Sequence, residues 1–204
     1  IQGFGYQSFL DLGAYFGYFS TFAKAKAGIE NVIAYEADPD NFSKLTQFAN
    51  DNGAHIKAVN KAIGDTLGEI EFYKPVYKGT TKYPAHGQIG NPNTEAGNLY
   101  AGKAYKKLTV PMAPIAAVVA ENVKGQTLIK LDIEGYEERC LRSIQSFLTD
   151  TGNVDFLVEV MINDLNKESI FSFFKECGYD AYLLTNAGLI AVYLPPGRCA
   201  AWVR

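Results

Sequence analysis

The amino-acid sequence predicts an α/β fold in which a mostly parallel sheet is covered by helices on both faces. Short runs of almost continuously apolar residues alternate with segments that have helical spacing, which is typical of such sheets. Near the end of the chain, the apolar runs 181–184 and 189–194 are separated by only four residues. A connection this short joins antiparallel neighbours, so we expect a closing hairpin.

The first half of the chain predicts the order βαβαβ. Phe19, Phe22 and Ala23 have helical spacing after the first strand, which predicts the first helix. Asp38 and Pro39 have the residue types of an N-cap and a first helical position, so they open the second helix. We expect the strands at about residues 8–12, 32–35 and 56–63, followed by a short strand at 69–73.

The second half begins with an irregular stretch. Residues 75–107 are rich in Gly, Asn, Pro and Tyr and show neither the helical nor the strand period. A connection this long in a compact domain is usually functional or disordered. Beyond it we expect helices at 115–123, 136–148 and 170–177, and strands at 127–133 and 155–160. We expect residues 1–204 to form a single domain that carries this insert.

Composition excludes several classes of protein. The chain has 204 residues, of which 48% are hydrophobic and 20% charged, as in a globular domain. Its net charge of -3 provides no basic field for a nucleic acid, and no apolar run is long enough to span a membrane. The three scattered cysteines favour a reducing compartment, so we expect a cytoplasmic protein. The chain starts at Ile1, which suggests a fragment or a processed form, and its oligomeric state is not predicted.

The first candidate site lies where the first two strands end. Gly13 and Gly17 follow the first strand, and glycines there allow a ligand to approach the backbone closely. Glu36 ends the second strand, where nucleotide-binding folds place a carboxylate that accepts the ribose hydroxyls. Asp11 would repel a pyrophosphate but suits the positive charges of S-adenosylmethionine. The signs of the charges therefore favour S-adenosylmethionine over NAD.

The second candidate site follows the strand after the insert. Alternation along a regular strand would place Lys130, Asp132 and Glu134 on one side. Charges on an otherwise apolar strand are costly unless they are paired or belong to a site. Two interpretations stay open: a buried Lys–Asp pair with a helix-capping Glu, or groups that face the methyl donor and the substrate. We prefer the second.

At these residues the sequence resembles the FkbM family of S-adenosylmethionine-dependent methyltransferases. The landmarks are the glycine turn at 11–17, the segments 36–39 and 60–65, and the Lys-Leu-Asp-Ile-Glu-Gly-Tyr-Glu segment at 130–137. The resemblance runs from about Ser8 to Leu184, and the segment 130–137 is its most specific part. It implies a Rossmann-like class I methyltransferase fold whose seven-stranded sheet ends in an antiparallel hairpin. It also implies O-methylation of a hydroxyl group on a sugar or secondary metabolite.

The resemblance also implies roles for individual residues. Asp11, Gly13 and Gly17 would line the methionine end of the donor, Glu36 would hold the ribose and Asp65 would lie near the adenine. Asp132 and Glu134 would face the reacting centre. The further expected donor contacts are Ala14, Tyr15, Ala37, Asp38 and Ala62.

The remaining candidates concern the acceptor. His86 in the insert is a candidate base, and Lys130 and Glu159 are expected to contact the substrate. Tyrosines of the insert, including Tyr105, suit either stacking on a sugar ring or packing of the loop. Three carboxylates without a histidine form no defined metal motif, so we expect no metal. The rival functions are a nicotinamide-dependent oxidoreductase, for which a full glycine fingerprint is missing, and a non-catalytic binding domain.

Overall fold

The computed structural model describes residues 5–76, 87–89, 104–159, 167–185, 188–191 and 200–203. The helices are α1 Tyr18–Ala25, α2 Pro39–Asp51, α3 Ile115–Asn122, α4 Glu137–Ser143, α5 Gln145–Asp150 and α6 Lys167–Glu176. The strands are β1 Ser8–Leu12, β2 Asn31–Tyr35, β3 Lys57–Val59, β4 Ala62–Gly64, β5 Gly68–Val76, β6 Gln88–Ile89, β7 Ala104–Pro114, β8 Thr127–Leu131, β9 Val154–Val158, β10 Asp180–Thr185, β11 Gly188–Ala191 and β12 Ala200–Val203.

The main sheet confirms the predicted class. Its strand order is β11-β10-β12-β9-β8-β1-β2-β3, and the pairs among β9, β8, β1, β2 and β3 are all parallel. The predicted hairpin is present, because β10 pairs antiparallel with β11. The expected number of seven strands is wrong. Strand β12 inserts antiparallel between β9 and β10, so the sheet of the described residues has eight strands with β11 at its edge.

The third predicted strand is in fact two strands in different sheets. β3 belongs to the main sheet, whereas β4 pairs with β7 in a second sheet of order β4-β7-β5-β6. The chain changes sheets at Asn60, whose side-chain amide donates to the backbone carbonyls of Glu36 at 2.8 Å and Ala37 at 3.2 Å. The described parts of the predicted insert are also regular, since they form the end of β5, β6 and the start of β7. The expectation of an irregular segment is wrong for these residues.

The core lies on both faces of the central strands. Every residue of β1, β8 and β9 is buried, which explains their continuous apolar runs. Phe156 of β9 packs against Phe174 of α6 and Tyr179, with ring centres 5.2 and 5.9 Å away. Burial of aromatic side chains of this size contributes strongly to stability. None of the described helices is long and apolar enough to span a membrane.

One predicted helix is divided in the structure, and α1 has an unusual exposed side. The segment expected to be one helix at 136–148 is broken at Ile144 into α4 and α5. In α1, Phe19 and Phe22 are exposed whereas Ser20 and Ala23 are buried. The small side chains face the sheet, where Ser20 bonds to a carboxylate of β1, and this leaves the aromatic rings outside.

Candidate active site

An open cleft lies at the carboxyl ends of β1, β2 and β8. This is where ligands bind in open parallel sheets. The residues that line the cleft are Gly13, Tyr15, Tyr35, Glu36, Ala37, Asn41, Lys61, Ala62, Ile63, Phe72, Gly87, Ile89, Asp132, Ile133 and Glu134. One side of the cleft is therefore acidic, and the side formed by the second sheet is apolar.

Gly13 allows the ends of β1 and β8 to meet. Its φ of 85° lies in the left-handed region, which costs little for glycine and more for other residues. A Cβ at this position would lie 1.8 Å from the backbone oxygen of Asp132, far inside contact distance. The turn is also tied to β2, because the amides of Gly13 and Ala14 donate to the carbonyl of Tyr35 at 3.0 and 2.9 Å.

Glu36 holds two turns of the cleft together. One carboxylate oxygen accepts the Tyr15 amide at 2.7 Å, and the other accepts the Asp38 amide at 2.9 Å. The side chain is buried, and desolvation raises its pKa to about 7, although both hydrogen bonds act in the opposite direction. Glu36 therefore lines the cleft as a rigidly held carboxyl group.

Lys130 sits beneath the acidic side of the cleft. Its ammonium group donates to Asp132 Oδ2 at 2.8 Å and to the Gly13 carbonyl at 3.2 Å, and it lies 3.7 Å from Asp11 Oδ1. Burial by itself would lower the pKa of Lys130, but the Asp11 and Asp132 carboxylates outweigh burial and raise it. The ammonium therefore stays charged and fixes Asp132 at the wall of the cleft.

Asp11 is fully buried behind the wall of the cleft. Its Oδ2 accepts the Ser20 amide at 3.1 Å and the Ser20 hydroxyl at 2.5 Å, which ties β1 to α1. Burial raises the pKa of Asp11, and Lys130 and Ser20 partly oppose this rise. Asp11 does not line the cleft, because its carboxylate is held by Ser20 of α1 and by Lys130. Its expected place at the methionine end of the donor stays a prediction.

The turn after β8 is organised by Glu137. Its carboxylate accepts the amide of Ile133 at 2.8 Å and that of Gly135 at 2.9 Å. Burial raises the pKa of Glu137 to about 7. Within this turn Glu134 has a φ of 57°, so the strand does not continue to Glu134 as regular alternation would require. Glu134 nevertheless lines the cleft, together with Asp132.

The comparisons with known proteins agree with this geometry. The sequence profile described as "Methyltransferase FkbM domain" matches residues 11–181. The chain belongs to the FkbM methyltransferase family. The search of curated proteins found no match.

Two solved structures share the fold of this FkbM domain. The methyltransferase FkbM from Methylobacillus flagellatus KT is 15% identical with a TM-score of 0.55, and the match covers 97% of this chain and 43% of that one. The precorrin-6y C5,15-methyltransferase from Geobacter metallireducens GS-15 is 10% identical with a TM-score of 0.53, and the match covers 100% and 82% of the two chains. These likenesses confirm the Rossmann-like methyltransferase fold. The FkbM domain spans less than half of the length of the Methylobacillus protein.

Several predicted donor contacts lie on the cleft. The predicted residues that line it are Gly13, Tyr15, Glu36, Ala37, Ala62, Asp132 and Glu134. Four other predicted donor contacts, besides Asp11, do not. Ala14 and Gly17 belong to the turn before α1. Ala14 is buried, and a Cβ on Gly17 would lie 2.9 Å from the Leu45 side chain. The other two, Asp38 and Asp65, have partners elsewhere.

Asp38 and Asp65 carry structural contacts. Asp38 caps α2 by accepting the Asp40 amide at 2.8 Å, as predicted, and it forms an ion pair with Lys74 at 2.7 Å. Asp65 forms an ion pair with Arg139 at 2.7 Å, and this hydrogen bond lowers the pKa of Asp65. Both carboxylates have cationic partners, and neither is among the described residues that line the cleft. Their expected contacts with the donor stay predictions.

The predicted acceptor residues are only partly within reach. Glu159 directly follows β9 and is exposed, and its amide lies 3.4 Å from the Leu131 carbonyl. Lys130 is buried under Asp132 and does not line the cleft, and its expected contact with substrate stays a prediction. His86 lies outside the described residues. Across the described ranges, no group of three or more His, Cys, Asp or Glu side chains is arranged to hold a metal ion.

Sequence analysis missed the apolar side of the cleft and the side chain that holds the turn after β8 in place. Phe72 and Ile89 come from the second sheet, whose packing over the first cannot be read from local spacing. Lys61 belongs to the recognised segment 60–65 and could have been found from that position alone. Glu137 belongs to the recognised 130–137 segment, but nothing in its spacing shows that it binds two backbone amides.

Proposed function

We propose that this domain binds S-adenosylmethionine in the cleft and transfers its methyl group to a hydroxyl group of a small molecule or glycan. The observation that carries the proposal is the charge of the lining. Three carboxyl groups line the described part of the cleft, namely Glu36, Asp132 and Glu134, against the single ammonium of Lys61. An acidic lining suits a ligand that carries a sulfonium and an ammonium group, and it disfavours the phosphates of NAD or NADP.

The shape of the cleft supports the same ligand. Glu36 would accept the ribose hydroxyls, because its carboxyl group is fixed at the end of β2 and reaches the cleft. The turn at Gly13 lets the backbone approach the ligand closely. The apolar residues Ile63, Phe72 and Ile89 would pack against the adenine ring. When bound, S-adenosylmethionine supplies an activated methyl group on a sulfonium.

The protein's own task is to position an acceptor and manage one proton. Methyl transfer requires an aligned acceptor oxygen, and a hydroxyl group must lose its proton during the reaction. Asp132 and Glu134 are the carboxylates that would hold this hydroxyl and accept its proton, since both line the cleft at the end of β8. Lys130 would act through Asp132 as a positioning residue, because its buried ammonium holds that carboxylate at 2.8 Å.

The acceptor class and location are also proposals. A net charge of -3 and the acidic cleft favour a neutral hydroxylated acceptor over a nucleic acid. A reducing compartment such as the cytoplasm suits the buried cysteines Cys140 and Cys177.

Calorimetry followed by a transfer assay tests the proposal. We expect S-adenosylmethionine and S-adenosylhomocysteine to bind and NAD to fail to bind. Methyl-labelled S-adenosylmethionine should then label members of a panel of sugars and hydroxylated metabolites. Binding of NAD in place of S-adenosylmethionine would contradict the proposed donor. Donor binding without transfer to any hydroxyl compound, but with transfer to amines or carbon acids, would contradict the proposed O-methylation.

A further inference from the structure

Helix α1 presents aromatic side chains to the solvent. Tyr18, Phe19 and Phe22 are 56%, 40% and 42% exposed, although large aromatic side chains are usually well buried. Their spacing of three and four residues places them on one side of the helix. We call these three residues the aromatic face of α1. The opposite side packs on the sheet through small residues, so the aromatic face is not needed to attach α1.

One ring of the aromatic face contacts the lysine that supports the proposed reacting centre. The Lys130 ammonium lies 5.5 Å from the centre of the Phe19 ring, and the same ammonium donates to Asp132. Asp132 lines the cleft, so Phe19 is connected to the cleft wall through one buried side chain. A cation near an aromatic ring is attracted to it. Phe19 is thus a partly exposed ring that shares a lysine with the cleft wall.

We propose, on the basis of the proposed function, that the aromatic face of α1 is the platform for a carbohydrate or polyol ring acceptor. The apolar C–H face of the ring would pack on Phe19, and its hydroxyl groups would reach Asp132 and Glu159. Such a ring needs a flat aromatic surface beside hydrogen-bond acceptors. The structure provides both, since Glu159 follows β9 next to the end of β8 and interacts electrostatically with Lys130.

The charges next to the aromatic face favour this occupant over others. Asp132 and Glu159 would oppose a phosphorylated or nucleic-acid acceptor, but carboxylates readily accept hydrogen bonds from neutral hydroxyl groups. A neutral, hydroxyl-rich ring can pack its C–H face on Phe19 and donate hydrogen bonds from its hydroxyl groups to the carboxylates.

Saturation-transfer NMR with simple glycosides tests the platform. The probe is a panel of methyl hexopyranosides, added to the full chain in the presence of S-adenosylhomocysteine. We expect transfer to the ring C–H protons of at least one glycoside. Phe19→Ala should weaken its affinity by about fivefold to tenfold, as expected for one aromatic contact, whereas Phe19→Tyr should retain it. Leu67→Ala, which removes a 78% exposed apolar side chain outside the cleft, is the matched control and should bind normally.

Three results would overturn the inference. The first is unchanged glycoside binding in Phe19→Ala, and the second is no transfer to any glycoside although S-adenosylhomocysteine binds. The third is a dimer of the wild-type chain that Phe19→Ala converts to a monomer in analytical ultracentrifugation, which would assign the aromatic face to a second copy. A failure of the proposed function is distinguishable, because the wild-type chain would then bind no S-adenosylhomocysteine at all.

Discussion

The carboxyl group of Glu36 offers the sharpest test of the donor site. Glu36→Gln preserves the shape of the side chain but removes its charge and one of its two acceptor oxygens. In the native structure those oxygens bind the amides of Tyr15 and Asp38. We therefore expect weaker binding of S-adenosylmethionine, because an amide group cannot accept the ribose hydroxyls while also accepting both backbone amides.

The expected magnitude follows from these contacts. Loss of one charge-assisted hydrogen bond to the ligand costs about 1 to 3 kcal/mol, which corresponds to an affinity about 5 to 150 times weaker. At pH 8 the free energy of unfolding should change less than the free energy of binding. One amide hydrogen bond is lost, at about 1 to 3 kcal/mol. However, the pKa of Glu36 is raised from 4.5 to about 7, so burying its charged form destabilises the native state by about 3 kcal/mol. The uncharged glutamine removes this destabilisation.

Glu137→Gln is the matched control. Glu137 is also buried, also accepts two backbone amides and also has a pKa of about 7, but it does not line the cleft. Isothermal titration calorimetry with S-adenosylmethionine, together with urea unfolding, separates binding from stability. We expect both variants to show similar changes in stability and only Glu36→Gln to show the loss of affinity. Equal affinities in the two variants would refute the ribose contact.

Three further predictions concern the reacting centre, the turn and the pH dependence. Asp132→Asn and Glu134→Gln should lower turnover by about 100-fold or more, as for loss of a proton acceptor. Glu134→Gln should change the unfolding free energy little, whereas Asp132→Asn should also lower it because the buried Lys130 loses an ion-pair partner. Gly13→Ala should destabilise the protein by more than the roughly 1 to 2 kcal/mol of a left-handed L-residue, because its Cβ would also clash with the Asp132 backbone. For Glu137, the raised pKa means that the native state keeps its proton to higher pH than the unfolded chain. Its contribution should therefore reduce the free energy of unfolding by about 3 kcal/mol as the pH rises from about 4.5 through 7.

Each of these predictions has its own control. Asp150→Asn, which changes an exposed carboxyl group at the end of α5, should keep the turnover of the wild-type chain in a labelled-methyl assay. Parent turnover in both site variants would show that the assignment is wrong. Gly28→Ala has the same left-handed strain but no atom within 4 Å of its Cβ, so urea unfolding should show a smaller loss than for Gly13→Ala. Glu137→Gln should flatten the pH dependence of unfolding between pH 5 and 8, and an unchanged slope would contradict the raised pKa.

Local features of the fold were predictable from the sequence. The central strands were recognisable because burial on both faces demands continuous apolar runs, as in β1, β8 and β9. The start of α2 was recognisable because capping by Asp38 and a proline at the next position are local requirements. The aromatic spacing of α1 predicted a helix but did not show which side is buried. A pattern of period 3.6 identifies a stripe of residues, and only the packing shows whether that stripe faces the sheet.

The candidate site was predictable to the extent that it lies at strand ends. Glu36, Asp132 and Glu134 line the cleft because parallel strands bring their carboxyl ends to one edge of the sheet. The buried contacts that hold these residues in place were not predictable. Lys130 and Asp11 are 119 positions apart in sequence and meet only because β8 is the spatial neighbour of β1. The apolar side of the cleft likewise depends on the second sheet, whose β5 and β6 strands carry Phe72 and Ile89.

The sequence by itself determined which segments become strands and helices and which carboxyl groups stand at strand ends, because these properties depend on neighbours a few residues away. The tertiary structure decided which of those carboxyl groups face the cleft. Asp11 and Asp132 flank the same ammonium, yet one is sealed under α1 and the other lines the cleft wall. The difference arises because burial and pairing are set by strand order and by the side of α1 that meets the sheet, and neither is encoded in local spacing.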